Sequence, residues 1–171
     1  MRTLYSETDI ATAIEALAPQ IVDALGKDFI IAPILNGGFI FAADLARALF
    51  RHGADPEIDF LQLASYGDER ESSGTIKVVK DLSSPVEGQT VLLVDDVLDS
   101  GNSLHFAQRL LMERKAAKVA ICVAVNKVRE RTHNVTSDFT LFTRDADAFL
   151  VGYGMDDAGR RRALPVIGVI E

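Results

Sequence analysis

With 171 residues, 48% apolar and 25% charged, the chain has the length and composition of one compact globular domain over 1–171, and disorder is excluded. A formal net charge of −7 leaves no basic face of the kind nucleic-acid binders carry, so no nucleic-acid partner is expected. Cys122 is the single cysteine and lies inside the apolar run VAICVAV, which predicts a buried thiol and no disulfide within the chain. The N-terminus has no continuous apolar core and no apolar run reaches spanning length, so a soluble, cytoplasmic protein without membrane contact is expected.

The spacing of Ile10, Ala13, Ile14, Leu17, Ile21 and Leu25 predicts an amphipathic helix over Ser6 to Leu25. FIIAPIL, from Phe29, reads as a buried strand stopped at Asn36-Gly37-Gly38. FIFAADLARALFRHG follows as a helix closed by Gly53. IDFLQLASY and TIKVVK flank the polar stretch GDERESSG and read as paired strands. TVLLVD is the next buried strand, followed by a helix from about Ser103 to Lys115 and the strand KVAICVAV. Beyond it FTLF, FLVG and VIGVI are short strand candidates. Apolar strands alternating with helices predict an α/β fold, a mostly parallel sheet flanked by helices, with the polar hairpin as an insertion.

One stretch asks for more than a fold. VLLVDDVLDSGNS, Val91 to Ser103, crowds three carboxylates between a buried strand and a helix start. In open parallel sheets ligands sit beyond the carboxyl ends of the strands, where Asp95 and Asp96 are expected. Backbone N–H groups of Ser100 to Ser103 would converge at the helix N-terminus, and the Ser100 and Ser103 hydroxyls add donors, which suits an anion. The plainer alternative, in which Asp99 or Ser100 caps the helix, needs one such residue and leaves the other acids unexplained. Carboxylates repel a bare phosphate, so they must face sugar hydroxyls, a metal or developing positive charge. A phosphorylated ribose with a leaving group supplies all three. No G-x-x-x-x-G-K-S/T and no G-x-G-x-x-G occurs, and His52, His105 and His133 have no close metal-ligand spacing.

VLLVDDVLDSGNS closely resembles the phosphoribosyl-pyrophosphate signature of type I phosphoribosyltransferases. SYGDERESSGTIKVVKDL resembles the mobile loop and following strand of hypoxanthine (guanine) phosphoribosyltransferases, with Ser65 and Tyr66 in place. FLVGYGMDDAGRRRALPVIGVI resembles their C-terminal purine-binding hood, and with LNGG near the front the likeness spans nearly the whole chain in order.

By this resemblance Asp95 and Asp96 accept from the ribose hydroxyls, Asp99 faces N7 of the purine as general acid/base, and Ser100, Gly101, Asn102 and Ser103 hold the 5′-phosphate. Carboxylates there would also stabilise positive charge on the ribose as its bond breaks. Leu35, Asn36 and Gly37 match the pyrophosphate loop, where a non-proline cis peptide joins the first two residues. Several relatives carry Lys or Arg where this chain has Asn36. Lys127 matches the donor to the purine 6-oxo group, Phe149 the aromatic stacked on the base, and Leu150 a backbone contact to it. Asp156 matches a magnesium-water ligand, with Asp95 and Asp96 also on the metal side, and Arg162 matches the arginine that reaches pyrophosphate. The loop bounded by Gly67 and Gly74 is expected to close over the site and keep water out. The resemblance implies a Mg²⁺-dependent purine salvage enzyme that acts on hypoxanthine, guanine or both and assembles as a homodimer or homotetramer. A non-catalytic regulator that binds the same pyrophosphate, or a transferase for xanthine or another base, is the alternative.

Overall fold

Strands that are apolar at every position must be covered on both faces, and the chain supplies helices for each. The computed structural model describes residues 1–66, 75–131, 133–145 and 148–170. In chain order the elements are β1 (Arg2–Tyr5), α1 (Glu7–Leu25), β2 (Ile30–Leu35), α2 (Phe39–Arg51), β3 (Glu57–Ile58), β4 (Leu61–Tyr66) and β5 (Thr75–Lys80). There follow β6 (Thr90–Leu98), α3 (Asn102–Glu113), β7 (Lys118–Val128), β8 (Phe139–Asp145), β9 (Phe149–Val151) and β10 (Ile167–Ile170).

The main sheet runs β5-β4-β2-β6-β7-β8, with β3 beside the start of β2. Every pairing in it is parallel except the hairpin of β4 with β5. Alternation decides which face each side chain enters. Ile31, Leu92 and Cys122 pack with α1 and α2, whereas Ile30, Leu93 and Ile121 pack with Leu104, Ala107 and Leu111 of α3. Leu92 and Leu93 are both 0% exposed, and burial of each contributes about 1.5–3 kcal/mol. The predicted buried thiol is there: Cys122 is wholly enclosed and loss of water pushes its pKa up. Among the described residues no helix is long and apolar enough to cross a membrane.

The α/β architecture, the parallel sheet and the first helix match the expectation. Ser6 and Asp9 form a reciprocal capping box at the start of α1. Three boundaries differ. IDFLQLASY is two strands, because the buried Asp59 turns inward and accepts hydrogen bonds from the Phe60, Ser83 and Ser84 amides. The third helix runs from Asn102 to Glu113, with Lys115 in a left-handed turn at φ 63° that closes it early. The hood is a second sheet, β1-β10-β9, so it borrows its outer strand from the N-terminus as well as two from the C-terminal segment. The segment expected to close over the site, GDERESSG, lies outside the described residues.

Candidate active site

The site forms where strand pairing runs out unevenly. β2 pairs with β6 only as far as Pro33 opposite Val94, while β7 stays paired to Leu98 opposite Asn126. Asp95 and Asp96, expected at a strand end, therefore lie inside β6 but beyond its β2 neighbour. The loop after β2 crosses that gap. Its Leu35–Asn36 peptide is cis, as the resemblance implies. A Cβ on Gly37 would fall 2.2 Å from Asp96 Oδ2, and one on Gly38 would fall 2.5 Å from the Val94 carbonyl. Only glycine lets the loop lie this flat against the acids. The resulting cleft holds about 390 Å³ and is lined by Leu35, Gly37, Asp95, Asp96, Asp99, Ser103, Lys127, Phe149, Leu150, Asp156 and Arg162, among others.

The carboxylates in it experience opposite fields. Loss of water, then the neighbouring Asp96 charge, raises Asp95 well above the usual carboxylate range. Asp96, 9% exposed, is also raised by burial, with the Arg162 charge pulling against it. Asp99 is partly buried, which alone would raise it, yet it is held below the usual range by two cations. Lys127 Nζ donates to its Oδ2 at 2.8 Å, and an Arg129 guanidinium nitrogen donates to its Oδ1 at 2.6 Å. Both oxygens are thus committed to the β7 side, and the N-cap of α3 is Gly101. Asp99 does not cap the helix. Gly101 has φ 80°, and a Cβ there would lie 2.4 Å from Val135, so the turn Ser100 to Ser103 admits no other residue at that point. Within that turn the Asn102 amide is 3.4 Å from Ser100 Oγ, and Ser103 faces the cleft directly.

From the hood, Phe149 is 56% exposed and lines the cleft, while the Leu150 side chain is buried in the core. Asp156 accepts from the Gly159 amide at 2.7 Å and pairs with Arg162 at 2.7 Å. Arg162 also donates to the Gly154 carbonyl at 2.6 Å, so the arginine matched to pyrophosphate is folded onto the hood itself. Ser65 and the backbone of Tyr66 end β4, with Tyr66 opposite Thr75. Among the described residues no three His, Cys, Asp or Glu side chains gather closely enough to hold a metal by themselves.

Sequence reading missed two cations. Arg129 holds Asp99 directly. Arg131 donates to the Asp99 and Leu98 carbonyls at 2.9 and 3.2 Å and to Asn126 Oδ1 at 2.8 Å, and reaches the Lys127 carbonyl as well. It staples the ends of β6 and β7 together. The signal was present: Lys127, Arg129 and Arg131 recur at a spacing of two, which in an extended segment points them the same way.

Comparison with known proteins agrees with this geometry. The family described as phosphoribosyl transferase domain matches residues 2–158. A hypoxanthine-guanine phosphoribosyltransferase of Aquifex aeolicus is 38% identical, covering 100% of this chain and 95% of that protein. A hypoxanthine phosphoribosyltransferase of Escherichia coli is 35% identical over 99% of this chain and 95% of its own length. The crystal structure of a hypoxanthine-guanine phosphoribosyltransferase from Bacillus anthracis superposes with a TM-score of 0.91 at 34% identity, over 100% of this chain and 99% of that one. Cleft, cis peptide, hood and full-length likeness converge: the chain belongs to the phosphoribosyltransferase family, among its hypoxanthine and hypoxanthine-guanine enzymes.

Proposed function

We propose that this enzyme transfers the phosphoribosyl group of 5-phosphoribosyl 1-pyrophosphate to hypoxanthine or guanine, giving IMP or GMP and pyrophosphate. The observation that carries the reading is the Lys127–Asp99 pair, 2.8 Å long, set beside the Asp95–Asp96 pair in one cleft. In the reaction the C1′–oxygen bond breaks and its electrons leave on pyrophosphate, while the N9 lone pair forms the new bond to C1′. The N7 proton of the base then passes to Asp99. Two cations keep Asp99 ionised, which is the form that accepts a proton. Asp95 and Asp96 take the ribose hydroxyls and stabilise the positive charge that builds on the sugar. The turn Ser100 to Ser103 receives the 5′-phosphate, the loop Leu35 to Gly37 and Arg162 receive pyrophosphate, and Phe149 stacks on the base.

Two raised carboxylates with too little countercharge suit a hard cation, and Mg²⁺ takes one or two carboxylates plus substrate phosphate oxygens rather than a full protein cage. Asp95 and Asp96, with Asp156 through water, would hold it together with the substrate. When bound, Mg²⁺ would neutralise charge on the departing pyrophosphate.

Base choice rests on Lys127. An ammonium group has three donors and no acceptor, so it bonds the 6-oxo group of hypoxanthine or guanine and offers nothing to the 6-amino group of adenine. Pyrophosphate release measured with a panel of bases tests the proposal. Hypoxanthine and guanine should turn over, and adenine should be disfavoured by roughly 10⁴-fold in kcat/KM. Efficient use of adenine would overturn the Lys127 assignment.

A further inference from the structure

The reaction as written leaves one buried polar side chain of the hood unused. Tyr153 is 4% exposed, and its backbone stands at φ 50°, a left-handed conformation that non-glycine residues seldom adopt and that persists only where the surroundings hold it. What holds it is visible on three sides. Its amide donates to the Leu164 carbonyl at 2.9 Å, and its ring centroid lies 6.3 Å from that of Phe41 on α2. Its hydroxyl donates to Asp44 Oδ2 at 2.8 Å, while the other oxygen of Asp44 takes Arg47 at 3.1 Å. Tyr153 does not line the substrate cleft. It lines a separate cavity of about 410 Å³ between α1, α2 and the hood.

The next residue faces the opposite way. Gly154 has φ 105°, and a Cβ on it would fall 2.1 Å from the Gly37 carbonyl. The Gly154 carbonyl receives the Arg162 guanidinium at 2.6 Å. Gly37 in turn lies against the Asp96 carboxylate. One turn of the hood thus grips α2 with Tyr153 and rests on the loop that starts α2 with Gly154. The base-facing side of the hood is fixed otherwise, since Phe149 and Leu150 sit in a ladder with Ile170 and Val169.

We propose that Tyr153 is a positioning residue: through its bond to Asp44 it sets the height of Gly154 and Arg162 over the Gly37 loop and so shapes the pyrophosphate side of the cleft. This rests on the transferase reading above. Steady-state kinetics of Tyr153→Phe test it, because the change removes one oxygen and keeps the ring. KM for phosphoribosyl pyrophosphate should rise about tenfold, with KM for hypoxanthine unchanged within about twofold. Asp44→Leu should reproduce that split. Asp44→Asn, which keeps a carbonyl acceptor for the tyrosine, should restore near-normal KM. The Tyr153→Phe/Asp44→Leu double variant should be no worse than either single one. A purely structural tyrosine would lower the melting temperature and leave the split absent. Equal changes in both KM values, or none, would overturn the inference, and if Tyr153→Phe fails to fold, the Asp44 pair of variants decides. A wild-type enzyme that fails to use phosphoribosyl pyrophosphate with any 6-oxopurine would instead overturn the reading on which it stands.

Discussion

Asp96 and Asp99 are three residues apart at the end of one strand, yet they meet opposite chemistry. Asp95 and Asp96 sit where β6 has lost its β2 neighbour and the Gly37 loop covers them, so they have shed water without gaining a strong cation of their own. Asp99 lies just past the strand, where the β7 side delivers Lys127 and Arg129 to its two oxygens. The first pair is poised to attract positive charge from outside. The second is already compensated and is kept as a base. Identical side chains are thereby assigned to electrostatic stabilisation and to proton transfer by their neighbours alone, a division seen wherever environments drive equal groups apart.

The comparison breaks most sharply at Asp99. Asp99→Asn preserves size but abolishes the proton acceptor, and turnover should fall by about 10²–10⁴-fold. Binding of phosphoribosyl pyrophosphate, followed by calorimetry, should survive, because its proposed contacts lie with the other two aspartates and the phosphate turn. Unchanged turnover would remove Asp99 from the chemistry.

A smaller effect of opposite sign is expected at Asp95. Its folded-state pKa is raised, so the folded protein binds the proton more tightly than the unfolded chain, whose carboxyl titrates near 3.9. Stability is then lost as pH rises from that value through the raised one, and at neutral pH the whole penalty is present. Asp95→Asn should remove it, since the amide oxygen can still accept from the Asp96 amide as Asp95 Oδ1 does at 2.9 Å. The melting temperature at pH 7 should rise by about 2–4 °C for each kcal/mol relieved. The gain should shrink toward pH 4, and activity should drop. A variant less stable than wild type at pH 7 would show that the carboxylate is better solvated than its surroundings imply.

Much of this was legible beforehand for a physical reason. Period-two apolar runs determine which strands are covered on both faces, and the three aspartates after VLLV mark a strand end too acidic for a structural role. What could not be read depends on contacts distant in sequence. Nothing in Arg2–Tyr5 announces that it pairs with residues near 168, and Asp59 breaks its strand only because Ser83 and Ser84 return to meet it. Tyr153 reads as one apolar position in a motif until Asp44, far earlier in the chain, supplies the acceptor. Arg129 and Arg131 look like solvated charges until β6 and β7 are aligned.

Arg129 offers the finest test of the contrast. Its side chain is 46% exposed, so its ion pair with Asp99 is worth only about 0.2–1 kcal/mol and is open to screening by salt. Lys127, at 12% exposed, is the better-shielded partner and stays in place when Arg129 is changed. In Arg129→Met the Asp99 carboxyl should therefore move up toward its ordinary value without reaching neutral pH. A depressed pKa contributes stability that is present above the unfolded value, about 3.9, and is lost as pH falls through the folded one. The variant should be slightly less stable than wild type at pH 7 and equal to it in strong acid. In catalysis, kcat/KM at pH 7 should change by no more than about fivefold, the ceiling set by that exposed ion pair. The acidic limb of its pH profile reports the free enzyme's base and should shift to higher pH. Salt at 1 M should move the wild-type limb in the same direction and the variant's limb less, because one of the screened charges is gone. A limb that stays fixed in both would mean that Lys127 alone sets the ionisation of Asp99, leaving Arg129 no part in distinguishing it from Asp95 and Asp96.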